Sequence, residues 1–308
     1  MLRSPPLSRA LLQRPDLWHR ANGVVVPLAF ILLWSSSFIT ARIGLATVSP
    51  LYFVAVRQVA VAAILVAASL ALRRSWASLR RTWPHCAVAG VLINGVTLMT
   101  AHVGMVTVDA APMALMGALN PILTAGLAGP LLGERLSPRQ WIGTALGLLG
   151  VTLVLGVSAL NSRTEAVGLL LGAGGIVGLC GGTLYFARFC RGVPWLAGQT
   201  VQFVAAAVAC VAATALLETP RATWTSAALG AVAWNIGAMS IGGMGLYSYM
   251  LARGTAGRVT ASFYLVPGTV AVLGWLILGE HLSLLAILGF IVASAGVWLM
   301  RRTPDAAV

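Results

Sequence analysis

Residues 119–137, LNPILTAGLAGPLLGERLS, recur without a gap as residues 265–283, LVPGTVAVLGWLILGEHLS, and nine of the nineteen positions are identical. The identities include Pro121/Pro267, the pairs Gly133-Glu134/Gly279-Glu280, and Ser137/Ser283. The same offset of 146 residues continues through Gly143/Gly289, Gly150/Gly296, Val151/Val297 and Leu153/Leu299. Apolar helices match Leu, Ala and Val by chance, but they rarely align a Pro, a Gly-Glu pair and a Ser in register. The chain is therefore two copies of one unit, and any fold has to seat that unit twice.

Of the 308 residues 59% are hydrophobic and 9% charged, too few charges to clothe a soluble surface. Several windows of about 20 residues carry no charge, the length at which a helix crosses roughly 30 Å of hydrocarbon. Apolar windows and their Arg, Pro and Gly boundaries place spans near 24–44, 50–72, 84–106, 112–132 and 139–158, then 166–187, 194–217, 226–250, 259–279 and 283–300. The expected fold is an all-α membrane protein of ten transmembrane helices, five per unit. Residues 1–23 form an N-terminal segment, 24–158 the first repeat, 166–301 the second and 302–308 a tail. The first apolar stretch is too long for a signal-peptide core and has no small-residue cleavage site directly after it, so it is expected to be retained.

The net charge of +13 raises nucleic acid as a partner, but the basic residues, all of them Arg, sit in short segments between apolar spans. Sixteen of the twenty arginines fall on one side of the expected topology, as the positive-inside bias requires of a cytoplasmic face. Both termini are then cytoplasmic. Because each unit has an odd number of spans, the two units must run in opposite directions, as inverted repeats. Such repeats suit a transporter, whose halves exchange inward-open and outward-open shapes about a central site.

The helix-end motif Gly133, Glu134, Ser137 and its copy Gly279, Glu280, Ser283 join one span to the next. Each Ser fits the N-cap of the following helix, and each Glu would lie just before that positive helix end. Pro121 and Pro267 are expected mid-span, where a proline loosens the helix, and are the candidate hinges. The first span carries Trp34, Ser35, Ser36, Ser37 and Thr40, whose hydroxyls either bond back to carbonyls one turn earlier or line a polar path. Arg57 lies inside the second span, where it either snorkels to the nearby face or meets an anionic substrate group. Asn94, Thr97 and Thr100 share a face of the third span, with His102 displaced from it. Gly174, Gly178 and Gly182 suggest a close-packing face on the sixth span. In the second half Trp234, Asn235 and Tyr264 are deep enough to consider for a site.

The four cysteines have no metal-ligand spacing and read as small buried hydrophobes. No His-Glu-x-x-His or Gly-x-Ser-x-Gly occurs, and no span carries a carboxylate near its middle. An enzyme, a metal site and a cofactor are not expected.

The stretches LWSSSFITARIGL, PLYFVAVRQV, LNPILTAGL…GERLS and LVPGTVAVL…GEHLS together resemble the drug/metabolite transporter superfamily, and more narrowly its EamA-type exporters, over residues 24–302. The resemblance implies ten spans in two five-span repeats and outward movement of amino acids or related small metabolites across a bacterial inner membrane. It also implies a cavity lined by the first, third, fourth, sixth, eighth and ninth spans. Trp34, Ser37, Asn94, His102, Asn120, Tyr185, Trp234, Asn235 and Tyr264 are then cavity candidates, with Arg57 added from its own position in the span. Asn120, and Gly181 with Gly182 in place of a Trp, depart from the family's pattern. The partners are a small-molecule substrate and the lipid bilayer, with no nucleic acid and a homodimer left open. Two other readings remain: an exporter of amphipathic drugs, and a membrane scaffold or sensor that moves nothing.

Overall fold

The computed structural model describes residues 15–72, 79–117, 119–120, 123, 127, 137–161, 163–190, 192–246, 250, 265–280 and 284–300. Pro121, Gly133, Glu134, Tyr264 and Ser283 lie outside them. The described residues form α1 (Pro15–Leu45), α2 (Pro50–Ala71), α3 (Trp83–Gly104), α4 (Ala110–Gly117) and α5 (Pro138–Asn161). They continue with α6 (Arg163–Phe189), α7 (Trp195–Leu217), α8 (Ser226–Leu246), α9 (Val266–Leu278) and α10 (Leu284–Met300). Among these residues Val25–Leu45, α2, α3, α6, α7 and α8 are long and apolar enough to cross a membrane, while α5, α9 and α10 hold shorter apolar stretches.

The helices pack in a pattern that survives exchange of the two repeats. The second helix of each unit meets its copy, α2 against α7, and the fifth meets its copy, α5 against α10. The contact of α1 with α8 is matched by that of α6 with α3, and α1 with α9 by α6 with α4. Glycines set the closest approaches. A Cβ on Gly150 would stand 2.3 Å from the Ala293 nitrogen, and one on Gly296 would stand 2.5 Å from the Gly147 nitrogen and 2.6 Å from the Gly143 oxygen. The register that repeats in sequence is thus the seam of α5 and α10, where two backbones touch without side chains between them.

The glycine face of α6 differs from its sequence expectation. Gly168, Gly175, Gly178 and Gly182 close on α3 and the turn after it, whereas nothing lies within 4 Å of a Cβ on Gly174 or Gly181. Gly174 falls on the outward stripe with Leu170 and Val177. Of the four-residue series Gly174, Gly178 and Gly182 the last two lie on the seam and Gly174 does not, because a straight seam on an α-helix alternates steps of three and four.

Among the described residues three helices contain π-helical turns: Val91–Val96 in α3, Asn235–Gly243 in α8 and Gly274–Leu278 in α9. The 146-residue offset carries Val91–Val96 onto 237–242, inside the α8 segment, so the third helix of each unit is widened at one matched place. Such turns leave carbonyls short of their usual i−4 partner and occur often at functional sites.

At one end of the bundle the α1–α2 and α7–α8 connections lie side by side. The Ser49 amide donates to the Arg221 carbonyl at 2.8 Å and the Thr223 amide to the Thr47 carbonyl at 2.9 Å. Glu218 completes the join, accepting from the Leu51 and Tyr52 amides at 3.2 and 2.8 Å at the start of α2. A carboxylate there satisfies orphan amides and faces the positive end of the helix.

The glycine seam yields a direct test. Gly150→Leu drives a side chain into fixed backbone and is expected to cost about 1–3 kcal/mol or more, as other overpacked sites do. Gly174→Ala, with open space around it, is expected to leave the midpoint unchanged or slightly higher. Thermal unfolding of the two variants in one detergent reads the difference.

Candidate functional site

α2, α8 and α1 converge on one buried polar cluster. Arg57 is 6% exposed and Asn235 is fully buried. The Arg57 guanidinium donates from Nη1 to Asn235 Oδ1 at 3.0 Å, and from Nε and Nη2 to Ser240 Oγ at 3.2 Å each. Ser240 in turn donates to the Asn235 carbonyl at 2.9 Å, a carbonyl in the widened stretch of α8. The Asn235 amide nitrogen donates to Thr40 Oγ1 at 2.8 Å and to the Ala231 carbonyl at 3.0 Å, tying α8 to α1. One turn away Trp234 Nε1 donates to Ser36 Oγ at 2.8 Å.

The electrostatics of this cluster are one-sided. An arginine inside a span costs about 2.5–3.5 kcal/mol on insertion scales, and hydrogen bonds to a charged group return roughly 1.5–3 kcal/mol each. Three such bonds to neutral oxygens hold the guanidinium in place, yet they do not cancel its charge. Among the described residues no carboxylate pairs with Arg57; the ion pairs found there join Arg42 to Asp109 and Glu280. Asn235 and Ser240 accept three bonds of the five N–H donors that a guanidinium carries.

His102 packs against the same helix. Its ring stacks on Phe53, one turn before Arg57, with centroids 5.6 Å apart. Nδ1 is 2.8 Å from the Leu98 carbonyl and so carries the proton of that bond, while Nε2 is buried without a partner. The rest of the third-span face goes elsewhere. Thr97 donates to the Leu92 carbonyl and across to the Gly175 carbonyl of α6, while Thr100 bonds back to Val96 and Thr97 within α3 and packs against Gly175 of α6. Asn94 sits in the π turn, where its carbonyl accepts from Gln58 Nε2.

The remaining candidates disperse. Ser36 and Ser37 bond back to the Leu33 and Trp34 carbonyls at 2.8 and 2.7 Å, whereas Ser35 donates across to the Val266 carbonyl of α9 at 3.4 Å. Trp34 packs against Phe30 in the apolar cluster shared with α9. Tyr185 belongs to another group, its hydroxyl 2.8 Å from His85 Nδ1 and its ring 4.6 Å from Phe189. Asn120 is partly buried beyond α4. Trp234, expected deep, is 43% exposed. Pro267 stands in the first turn of α9, where a missing amide leaves no bond broken. Ser137 stands directly before Pro138 at the start of α5, in the capping position expected of it.

Glu280 does not serve the start of its own following helix. Gly279 takes the left-handed conformation that ends α9, φ 68°, and the Glu280 amide closes the turn onto the Gly274 carbonyl at 3.1 Å. The carboxylate then crosses to the other repeat, where Oε1 accepts from the Ala110 amide at the start of α4 at 3.0 Å. Arg42 reaches the same place from α1. It donates to the Met105 carbonyl and, at 3.1 Å, to Asp109 Oδ1, and its Nε lies 3.9 Å from Glu280 Oε1.

Reading residue types in order misses Ser240, since a lone hydroxyl in an apolar helix carries no sign of its neighbour, and it singles out Thr40 without showing that Asn235 is its partner. No three His, Cys, Asp or Glu side chains among the described residues come together as metal ligands.

The profile of the EamA-like transporter family matches residues 21–156 and again 166–302. A probable terminal-alkyne amino-acid exporter of Streptantibioticus cattleyicolor is 28% identical over 296 residues, covering 88% of this chain and 91% of that protein. The uncharacterized inner membrane transporter YedA of Escherichia coli K12 is 27% identical over 260 residues, 83% of this chain and 82% of its own length. A crystal structure with 22% identity superposes with a TM-score of 0.67, covering 91% of this chain and 97% of that one, and shows the shared fold.

Arg57 and Asn235 are expected to be energetically coupled. Asn235→Leu strips one acceptor from a buried cation and should destabilise the protein by roughly 1–3 kcal/mol. In an Arg57→Met background the same change should cost distinctly less, and a double-mutant cycle on unfolding midpoints measures the difference.

Proposed function

The chain belongs to the EamA-like transporter family, is a transporter rather than an enzyme, and from that premise we propose that it exports amino acids or related small metabolites by alternating access. In this reading ten spans form two inverted five-helix repeats, with both termini in the cytoplasm of a bacterial cell and the loops around Arg42, Glu218 and Glu280 outside. The two halves rock about the seams of α2 with α7 and α5 with α10, with Pro121 as the hinge candidate; Pro267, in the first turn of α9, is not carried forward as one.

One observation carries the choice of cargo. A buried guanidinium, held by Asn235 and Ser240 of the opposite repeat and paired with no carboxylate among the described residues, suits a substrate that brings its own carboxylate. An amino acid does so. The resemblance to a protein named as an amino-acid exporter supports the same reading. A lipophilic cationic drug would be repelled by that charge.

Flux from proteoliposomes loaded with a panel of amino acids tests the proposal. Saturable movement of one or a few of them is expected, and Arg57→Gln should lower transport efficiency about tenfold or more, the value of one charge-assisted hydrogen bond. Flux of amphipathic cations with no amino-acid movement would sink it.

A further inference from the structure

Where Arg42, Asp109 and Glu280 meet, one guanidinium faces two carboxylates, so with all three ionised the cluster holds one uncompensated negative charge. The two acids are unequally placed. The Asp109 side chain is half exposed, whereas that of Glu280 is 8% exposed. Glu280 Oε1 is committed to the Ala110 amide, and Oε2 is buried with no hydrogen-bond partner. Oε2 lies against Gly274, where an added Cβ would come within 2.6 Å of it. A carboxylate oxygen is a strong acceptor, and enclosing one unpaired beside a second acid disfavours the ionised form.

We propose that Glu280 is a proton-binding site and that a proton on its Oε2 seals this face of the transporter. The contact is made between repeats: α9 and its Glu280 come from the second, α1 and the start of α4 from the first. With the proton on Oε2, Oε1 still accepts from Ala110, Arg42 remains paired with Asp109, and the net charge of the cluster falls to zero. Without it, the excess negative charge favours parting the two repeats so that water reaches the carboxylate. The proton comes from solvent on this face, which is the outer one in the orientation proposed above.

The sign follows from linkage. Burial, the largest influence, and the neighbouring Asp109 raise the Glu280 pKa above the ordinary carboxylate value, against the opposing pull of the Ala110 and Ala111 amides and of Arg42. A group that binds its proton more tightly when closed favours closure at low pH and loses that contribution as pH rises through the raised value. The charged groups facing Glu280 from the packed elements are Arg42 of α1 and Asp109 before α4; His281, next in the chain, lies outside the described residues.

Distance measurement between spin labels tests this without reference to any substrate, so it fails or succeeds independently of the exporter reading. Labels at Val106→Cys and Leu284→Cys, both exposed, flank the contact in a full-length chain whose Cys86, Cys180, Cys190 and Cys210 are replaced by Ala. In nanodiscs the short distance is expected to dominate near pH 5 and a longer population to grow towards about pH 8.5, with a midpoint above the ordinary carboxylate value. Glu280→Gln, which keeps an oxygen for the Ala110 amide, should hold the short distance at both values. Asp109→Asn, at a half-exposed position that tolerates change, should displace the midpoint to lower pH. Distances independent of pH, a pH response that survives Glu280→Gln, or a midpoint unmoved by Asp109→Asn would each overturn the proposal.

Discussion

Inside hydrocarbon no water is present to satisfy a backbone amide, a carbonyl or a charge, so each departure from a regular apolar helix must find its partner in the protein. Here the partner comes repeatedly from the opposite repeat. Glu218 of the second repeat caps α2 of the first, and Glu280 caps α4. Asn235 and Ser240 hold Arg57, and Thr200 and Ser69 share a hydrogen bond at 2.9 Å across α7 and α2. Neither half is satisfied alone, which explains why the two remain joined although lipid offers no hydrophobic force between helices.

What the sequence makes legible is whatever a residue does by itself. Runs without charge give the helices, and Gly143, Gly150, Gly289 and Gly296 betray the α5–α10 seam because only glycine permits backbone contact there. What it hides is whatever depends on a neighbour or on a change of helical period. Asn94, Thr97 and Thr100 look like one polar face, but Asn94 lies in the π turn at Val91–Val96, while Thr97 bonds to the Gly175 carbonyl of α6 and Thr100 packs against the same glycine. In the second Gly-Glu pair Gly279 supplies the left-handed turn that ends α9. The Glu280 carboxylate could not be traced from local sequence, because Ala110 is 170 residues away.

Ser35 shows the same limit at a single residue. Three consecutive serines have identical chemistry in sequence, yet Ser36 and Ser37 bond to their own helix while Ser35 reaches Val266. Position on the helix circumference decides, and that is settled only when α9 packs on α1. The matched π turns in α3 and α8 are similarly silent in sequence: the one in α8 packs on α1 and α2, the one in α3 on α6 and α7, where it also accepts a hydrogen bond from Gln58 of α2.

The repeats share a scaffold but not a charge pattern, and the division has mechanical sense. Seams of α2 with α7 and α5 with α10 lie where the two units are equivalent, so they can serve opposite conformations with equal packing. Arg57 has no counterpart on α7, where the matching turn carries Val201 and Gln202. Asp109 has none either, because the 146-residue offset lands on Thr255. Placing the guanidinium in one repeat, and gathering Arg42, Asp109 and Glu280 at one face, makes the two halves chemically unequal on a backbone that by itself repeats.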